Sequence, residues 1–439
     1  MFRNAGPVPA VTMLLFLLAC GDGAGTVSRP GIVVVIIDTL RADHLGCYGY
    51  ERDTSPVIDS LAGEGTIWRD CQAQAPWTLP ATATILTGLT PREHGTGRRN
   101  GVDYVLDSEV PTFVTILADA GYSTFGVFNV ALLSERMGFA RGFDCYSCDD
   151  CGVYRAAETV DEFLRWLEER DDPEPFLAVV HIFDVHQPYD PPEPYDDMFL
   201  PGDTLQQVYW EISEGGIDHP EHAEHFVARY DGGIRWVDTQ LGRLFAGLRS
   251  GGLADGVVVI LTADHGEEFL EHGWVGHGGS FFQEVLHVPL VMSGPGIGRG
   301  REVGTTVGQM DIMPTILSLC SVEVPDGLPG TDLLGSSSGE DRIIPASSAS
   351  FTGSMSGYAP LTEVRFGRMK GILTRRGSTD RYVMYDLLED PGEQSPLRAD
   401  SAMVRLLDIR MTTPMLYEPL RAGDLDEGSR SALEALGYI

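Results

Sequence analysis

Apolar positions along this chain follow two alternating patterns. Ile32 to Ile37 is an unbroken, mostly β-branched run, and Phe176 to Val180 and Val257 to Leu261 repeat it. Such runs suit strands buried on both faces, as in a parallel sheet. Elsewhere the spacing turns helical. Ala156 to Arg170 carries Val160, Phe163, Leu164 and Leu167 on one face, with Thr159 and Glu162 placed as a capping box. Ile234 to Leu248 carries Val237, Leu241, Leu244, Phe245 and Leu248, and Gly251 with Gly252 stops it. The alternation predicts an α/β fold, a mostly parallel sheet flanked by helices on both faces. Strand-like runs at Glu363 to Thr374 and Arg381 to Leu387 predict a smaller C-terminal α+β subdomain with an antiparallel sheet, and Gly428 to Leu436 reads as helical. The linker Gly335 to Asp341, GSSSGED, divides a main domain over 31–340 from the subdomain over 341–439.

The apolar run nearest the N-terminus is of another kind. Arg3, the short core Val11 to Ala19 and the ending Leu17-Leu18-Ala19-Cys20 read as an export signal too short to span a membrane. Its ending resembles a bacterial lipobox, which implies removal of residues 1–19, a lipid on Cys20, and a flexible tether over 20–30. The expected location is the bacterial cell envelope, with the membrane engaged through that lipid. Six further cysteines follow, and for Cys145, Cys148 and Cys151 an exported chain favours a disulfide over a metal cluster.

Charge narrows the partners. With 31 basic and 64 acidic side chains the formal charge is −33, which argues against nucleic acid and against docking on anionic lipid. An anionic substrate then needs a local positive centre, and in so acidic a chain a metal ion is the direct source.

The candidate chemistry gathers at strand ends. Asp38 follows the first run; His181, Asp184 and His186 end the second; Asp264 and His265 end the third. In open α/β sheets ligands collect outside such carboxyl ends. The stretch Ala75 to Gly95, APWTLPATATILTGLTPREHG, adds a hydroxyl: Pro80 suits a first helical turn and Gly88 a stop, so Thr78 is expected just before a helix, beside an anion-binding N-terminus. Taken alone, Thr78 reads first as a helix cap, and the residues elsewhere in the chain shift that reading. Asp38, Thr78, Asp264 and His265 form a four-ligand set for one divalent cation. The imidazole favours zinc or manganese, with calcium the alternative. Coordination would make the threonine hydroxyl nucleophilic, and His186 or His277 would protonate the leaving oxygen. Gln187 to Arg229, Pro-rich and acidic, reads as a rim over this crevice, with His219, His222 and His225 on a solvated polar face.

Six stretches carry a resemblance: VVVIIDTLRADHLGCYGY from Val33, PWTLPATATILTGLTPREHG from Pro76, HIFDVHQPYDPP from His181, LTADHGEEFLEHGWVGHG from Leu261, HVPLVMSGPG from His287 and YDLLEDPGE from Tyr385. With the ending LEALGYI they resemble the sulfatase family, within the alkaline phosphatase superfamily, from about Gly31 to the C-terminus. The resemblance implies an alkaline-phosphatase-like fold and hydrolysis of a sulfuric or phosphoric ester. There are departures. Active sulfatases carry Cys or Ser in C/S-x-P-x-R, converted to formylglycine, whereas this chain has Thr78 and, for the arginine, Thr82. The family's Lys-x-His contacts are missing near GYSTFGVFNV, where Asn129 is the nearest polar residue; Thr39 replaces a ligand aspartate and His265 an asparagine. This pattern is more similar to phosphoethanolamine transferases and lipoteichoic acid synthases, which use a metal-bound threonine. By resemblance Thr78 is nucleophile and ligand, Asp38, Asp264 and His265 complete the set, His186 and His277 touch the substrate anion or leaving group, and Arg41 and His181 stand behind. His272 reads equally as structural or substrate-touching, and His94 as structural. The alternatives are a phosphoryl-group transferase and a catalytically silent module that binds an envelope glycan.

Overall fold

The computed structural model describes residues 29–99, 102–148, 156–171, 175–202, 223–335, 342–348, 359–412, 416–417 and 420–421. The elements that place the site are, in chain order, β1 (Gly31–Ile37), α1 (Pro56–Glu64), β2 (Thr66–Gln72), α2 (Thr78–Thr87), β3 (Ser123–Phe128) and β4 (Cys145–Cys148). Then follow α3 (Ala156–Glu169), β5 (Phe176–Ile182), α4 (Ala223–Ser250), β6 (Val257–Ala263), β7 (His287–Ser293), β8 (Arg301–Val303) and α5 (Ile312–Leu319).

The main sheet runs β8-β2-β7-β6-β1-β5-β3-β4. All pairings along it are parallel except those of β7, which lies antiparallel to β2 and β6. The three apolar runs are the three central strands, β6-β1-β5, and every residue in them is buried. Each large aliphatic side chain so buried contributes about 1.5–3 kcal/mol, which locks the register and with it whatever follows each strand. Two helix layers cover the sheet: α1 and α3 pack with α4, and α2 packs with α5. The expected α/β architecture is therefore observed, as is the smaller C-terminal sheet.

That second sheet orders β9 (Ile343–Ser347), β10 (Ala359–Phe366), β11 (Met369–Arg376), β12 (Thr379–Asp386) and β13 (Leu397–Arg398), antiparallel throughout, with α6 (Ser401–Thr412) on it. The predicted single run from Glu363 to Thr374 is in fact two strands. Gly367 takes φ 54° and turns the chain between them, a conformation open to glycine. Most of GSSSGED and the tail from Gly428 lie outside the described residues, as do the export signal, Cys20, His219 and His222.

Two helix boundaries differ from expectation. The helix predicted from Ile234 begins at Ala223, because Gly232 and Gly233 do not break it. A Cβ on Gly232 would stand 2.2 Å from Tyr195 O, so the glycine admits a neighbouring backbone. Thr159 is not a cap: it lies inside α3, buried, and accepts from Asn129 Nδ2 at 3.0 Å. The first described amide of α3, Ala156 N–H, donates instead to Asp184 Oδ1 at 3.0 Å, which also accepts from Trp236 Nε1 at 2.8 Å. Asp184, grouped with the reactive strand ends in sequence, thus ties α3 to α4.

The disulfide expectation also fails for Cys145, which is a free thiol, as are Cys47, Cys71 and Cys320. Cys145 and Cys148 begin and end one strand. Three strand residues span about 10 Å, beyond the roughly 7 Å that a disulfide bridges between Cα atoms. Cys148 Sγ donates to Val130 O, and Cys151 lies outside the described residues.

Replacing Asp184 by Ala is expected to cost about 2–3 kcal/mol in chemical denaturation, through the lost cap and the stranded indole N–H. Asp184→Asn, whose amide oxygen still accepts, should cost less.

Candidate active site

Trp77 is extended, φ −160° and ψ 160°, and is anchored through Nε1 to Ser348 O at 2.8 Å. It occupies the cap position of α2, so Thr78 is the first helical residue rather than the cap expected from Pro80. The helix thereby starts two residues before the proline and keeps the Thr78 side chain out of its own capping. Within α2 the amide of Ala81 pairs back to Trp77 O at 3.3 Å, and Gly88, φ 66°, closes the far end. The positive end of the helix lies beside the Thr78 hydroxyl.

Asp38, Thr78, Asp264 and His265 meet, and each is fully buried. Thr78 Oγ1 is 3.5 Å from Asp38 Oδ2 and 3.3 Å from His265 Nε2. His265 Nε2 is also 3.7 Å from Asp38 Oδ1 and 3.4 Å from Asp264 Oδ2. Ligand atoms of Asp38, Asp264 and His265 all lie within 4.8 Å of one another. The register explains this: Ile37 pairs with Ala263, so the residues that follow leave adjacent parallel strands at the same level.

Backbone groups aim these side chains. Asp264 Oδ1 accepts from His265 N–H at 2.8 Å and Thr39 N–H at 3.2 Å, while Oδ2, facing His265, has no hydrogen-bond partner. Thr39 adopts φ 56°, an uncommon conformation for a β-branched residue, in making that bond. Asp38 Oδ1 is likewise buried without a partner. Burial and the charge of Glu267 push the Asp38 carboxyl well above its usual range, and burial and Asp38 push Asp264 up to about 6. Two orphaned carboxylate oxygens converging on an imidazole nitrogen and a hydroxyl are the donor set a divalent cation needs.

Three imidazoles share one orientation. His265, His186 and His277 donate Nδ1–H to Gly266 O at 2.9 Å, Gln187 O at 2.7 Å and Glu267 Oε1 at 2.8 Å, which makes Nε2 the acceptor on each ring. The His277 ring centroid is 4.3 Å from that of His265 and 5.0 Å from that of His186. Burial, above all, lowers all three to about 3, so they are neutral at physiological pH. His181 is buried against Phe128 with Nε2 3.5 Å from Asp38 Oδ2, and burial lowers it to about 4.

Other candidates lie apart. Arg41 bonds Asp43, Glu271 Oε1 at 2.5 Å and Glu267 O at 3.0 Å, bracing the chain that follows the ligands. His272 stacks on Phe282, and His94 accepts from Thr96 N–H at 3.0 Å, a structural role as expected. Thr82, standing for the signature arginine, is buried with Oγ1 unpartnered. Sequence reasoning missed Glu267, the partner of His277. Its place in Asp264-His265-Gly266-Glu267, three residues after a candidate ligand, is a signal, and in so acidic a chain a weak one.

The family model Sulfatase matches residues 30–322. An arylsulfatase of Clostridium perfringens is 24% identical over 377 residues, covering 70% of this chain and 78% of that one. A phosphonate monoester hydrolase of Agrobacterium radiobacter superposes with TM-score 0.70 at 23% identity, over 87% of this chain and 94% of that one. A structure solved in complex with its substrate D-glucosamine-2-N,6-O-disulfate superposes with TM-score 0.71 at 20% identity, covering 87% and 97%. With two-thirds of its length matched to the family model, the chain belongs to the sulfatase family of ester hydrolases.

Proposed function

We propose that this chain is a divalent-cation-dependent hydrolase of a sulfuric or phosphoric ester and works through a covalent Thr78 intermediate. The observation that carries this reading is the Thr78 hydroxyl at the start of α2, 3.5 Å from Asp38 and 3.3 Å from His265. Asp38, Thr78, Asp264 and His265 would hold the cation, zinc or manganese by the chemistry of the set. A cation there supplies Lewis acidity that lowers the pKa of an alcohol. Thr78 Oγ1 attacks phosphorus or sulfur, the bond to the ester oxygen breaks, and the proton Thr78 gives up is relayed through Nε2 of His277 or His186 to that oxygen. Water then attacks the phospho- or sulfo-threonine, and the proton it gives up passes through the same imidazole to Thr78 Oγ1, restoring the hydroxyl and the neutral ring. The α2 N-terminus favours the anionic group during both steps.

Thr78 takes the place of the formylglycine precursor, which makes an alcohol rather than an aldehyde hydrate the nucleophile. The phosphonate monoester hydrolase among the structural relatives supports keeping phosphorus esters beside sulfate esters as substrates. Arg3, the Val11 to Ala19 core and Cys20 support an exported, lipid-anchored protein of the bacterial cell envelope.

Incubating the protein and zinc or manganese with 4-nitrophenyl phosphate, sulfate and phenylphosphonate is expected to release nitrophenol from at least one. Accurate mass should then locate a phospho or sulfo adduct on Thr78. Thr78→Ala and Asp264→Asn should each lower turnover roughly 10³-fold or more. Turnover unchanged in Thr78→Ala would refute the covalent route.

Cation affinity should follow the carboxylates. Asp264 titrates at about 6, and a proton there removes a ligand, whereas His265, at about 3, stays neutral and keeps its lone pair. Affinity measured by competition is expected to fall as the pH drops through about 6, by roughly tenfold or more per unit, since the Asp38 carboxyl is raised as well. A profile level down to about pH 5 would contradict this ligand set.

A further inference from the structure

Lys370 on β11 is completely buried, with Nζ 2.9 Å from Glu393 Oε1. Glu363 on the adjacent strand is buried near it and is pushed up to about 8 by burial, against the pull of Lys370. A buried ammonium is costly unless paired, so this pair holds the turn that carries Glu393 against the sheet. Glu393 is the last residue of YDLLEDPGE, a motif to which the proposed chemistry gives no role.

The second Glu393 oxygen leaves the subdomain. Oε2 accepts Gln283 N–H at 2.6 Å. Gln283 opens the one-turn helix Gln283–Leu286, whose own cap residue, Phe282, makes no side-chain cap bond. Glu393 therefore caps that turn from the other sheet. The turn in turn holds both halves of the site: Val285 O and Glu284 O accept from Gly266 N–H at 2.8 Å and Glu267 N–H at 2.9 Å, and Leu286 O accepts from Ala73 N–H at 2.8 Å. Gly266 directly follows His265, and Ala73 leads into Thr78. The fit has no slack, since a Cβ on Gly266 would stand 2.1 Å from Glu284 O.

We propose that the Glu393 side-chain oxygen accepting from Gln283 N–H is the positioning contact by which the C-terminal subdomain sets the backbone on which Thr78, Asp264 and His265 are mounted. It rests on the reading of those residues as one site. Neither Glu393 nor Lys370 touches the reacting atoms; Glu393 acts through the Gln283–Leu286 turn, and Lys370 balances its buried charge.

Two double variants of the full chain separate positioning from simple loss of a buried charge. K370M/E393Q and K370M/E393M both neutralise the pair, and both place an unbranched side chain at the left-handed backbone of residue 393, φ 51°. Only glutamine keeps an acceptor for Gln283 N–H. Hydrogen exchange read by mass spectrometry is expected to quicken about 10- to 100-fold over Ala73–Thr78 and Asp264–Glu267 in K370M/E393M, with α6 unchanged, and to stay near wild type in K370M/E393Q. On an ester that the wild type turns over, kcat should fall about tenfold in K370M/E393M with KM nearly constant, and recover in K370M/E393Q. Equal exchange in the two variants, whether both protected or both loosened, would overturn the proposal. Wild-type zinc and manganese uptake is measured alongside. Its absence, with the exchange difference intact, would refute the cation site and support the positioning role.

Discussion

Two carboxylates that want to repel each other are held together at the top of the main sheet, and much else follows from that. Asp38 and Asp264 leave adjacent parallel strands at the same level, both wholly buried. Parallel neighbours deliver their next residues side by side, which an antiparallel pair cannot do at a shared end. Backbone amides satisfy one oxygen of Asp264 and leave the other facing His265. Only a proton or a cation relieves such a buried pair, and the neutral histidines around it favour a cation over a proton.

The surrounding side chains serve that constraint. The three rings of His186, His265 and His277 each have Nδ1 occupied, by two carbonyls and one carboxylate, so their lone pairs share a role. Thr39 accepts an unfavourable backbone to bring its amide onto Asp264. Thr78 is released from capping because Trp77 takes the cap position, and its hydroxyl turns to the acidic cluster. An ordinary helix start, with a serine or threonine at the cap, would have used that hydroxyl on its own amides.

Sequence made the centre of the fold legible and its margins less so. The strands β1, β5 and β6 announce themselves because burial on both faces leaves no polar position to blur the pattern, and the residues that follow them were therefore locatable. Boundaries set by contacts distant in sequence were not. Gly232 looks like a helix breaker until Tyr195 O is seen against it, and Thr159 looks like a cap until Asp184, from another strand end, is seen taking the Ala156 amide. Asp38, Thr78, Asp264 and His265 were named from strand ends, a helix start and family motifs. Glu267 was not, because a single acidic residue in so acidic a chain carries little signal until a ring nitrogen is found against it. Lys370 was invisible for the opposite reason: nothing in its neighbourhood of the sequence marks a lysine as interior.

The one reversed strand of the main sheet has a consequence of its own. Because β7 runs against β6, the chain leaves the rim after Asp264 and re-enters it at His287, so the whole excursion between them begins and ends on the same side of the molecule. Lengthening or shortening such an excursion leaves the strand pairing intact. Outside Glu267, His277 and the Gln283–Leu286 turn, the mouth can thus be reshaped for a bulkier or slimmer leaving group while Asp38 and Asp264 stay where the sheet put them.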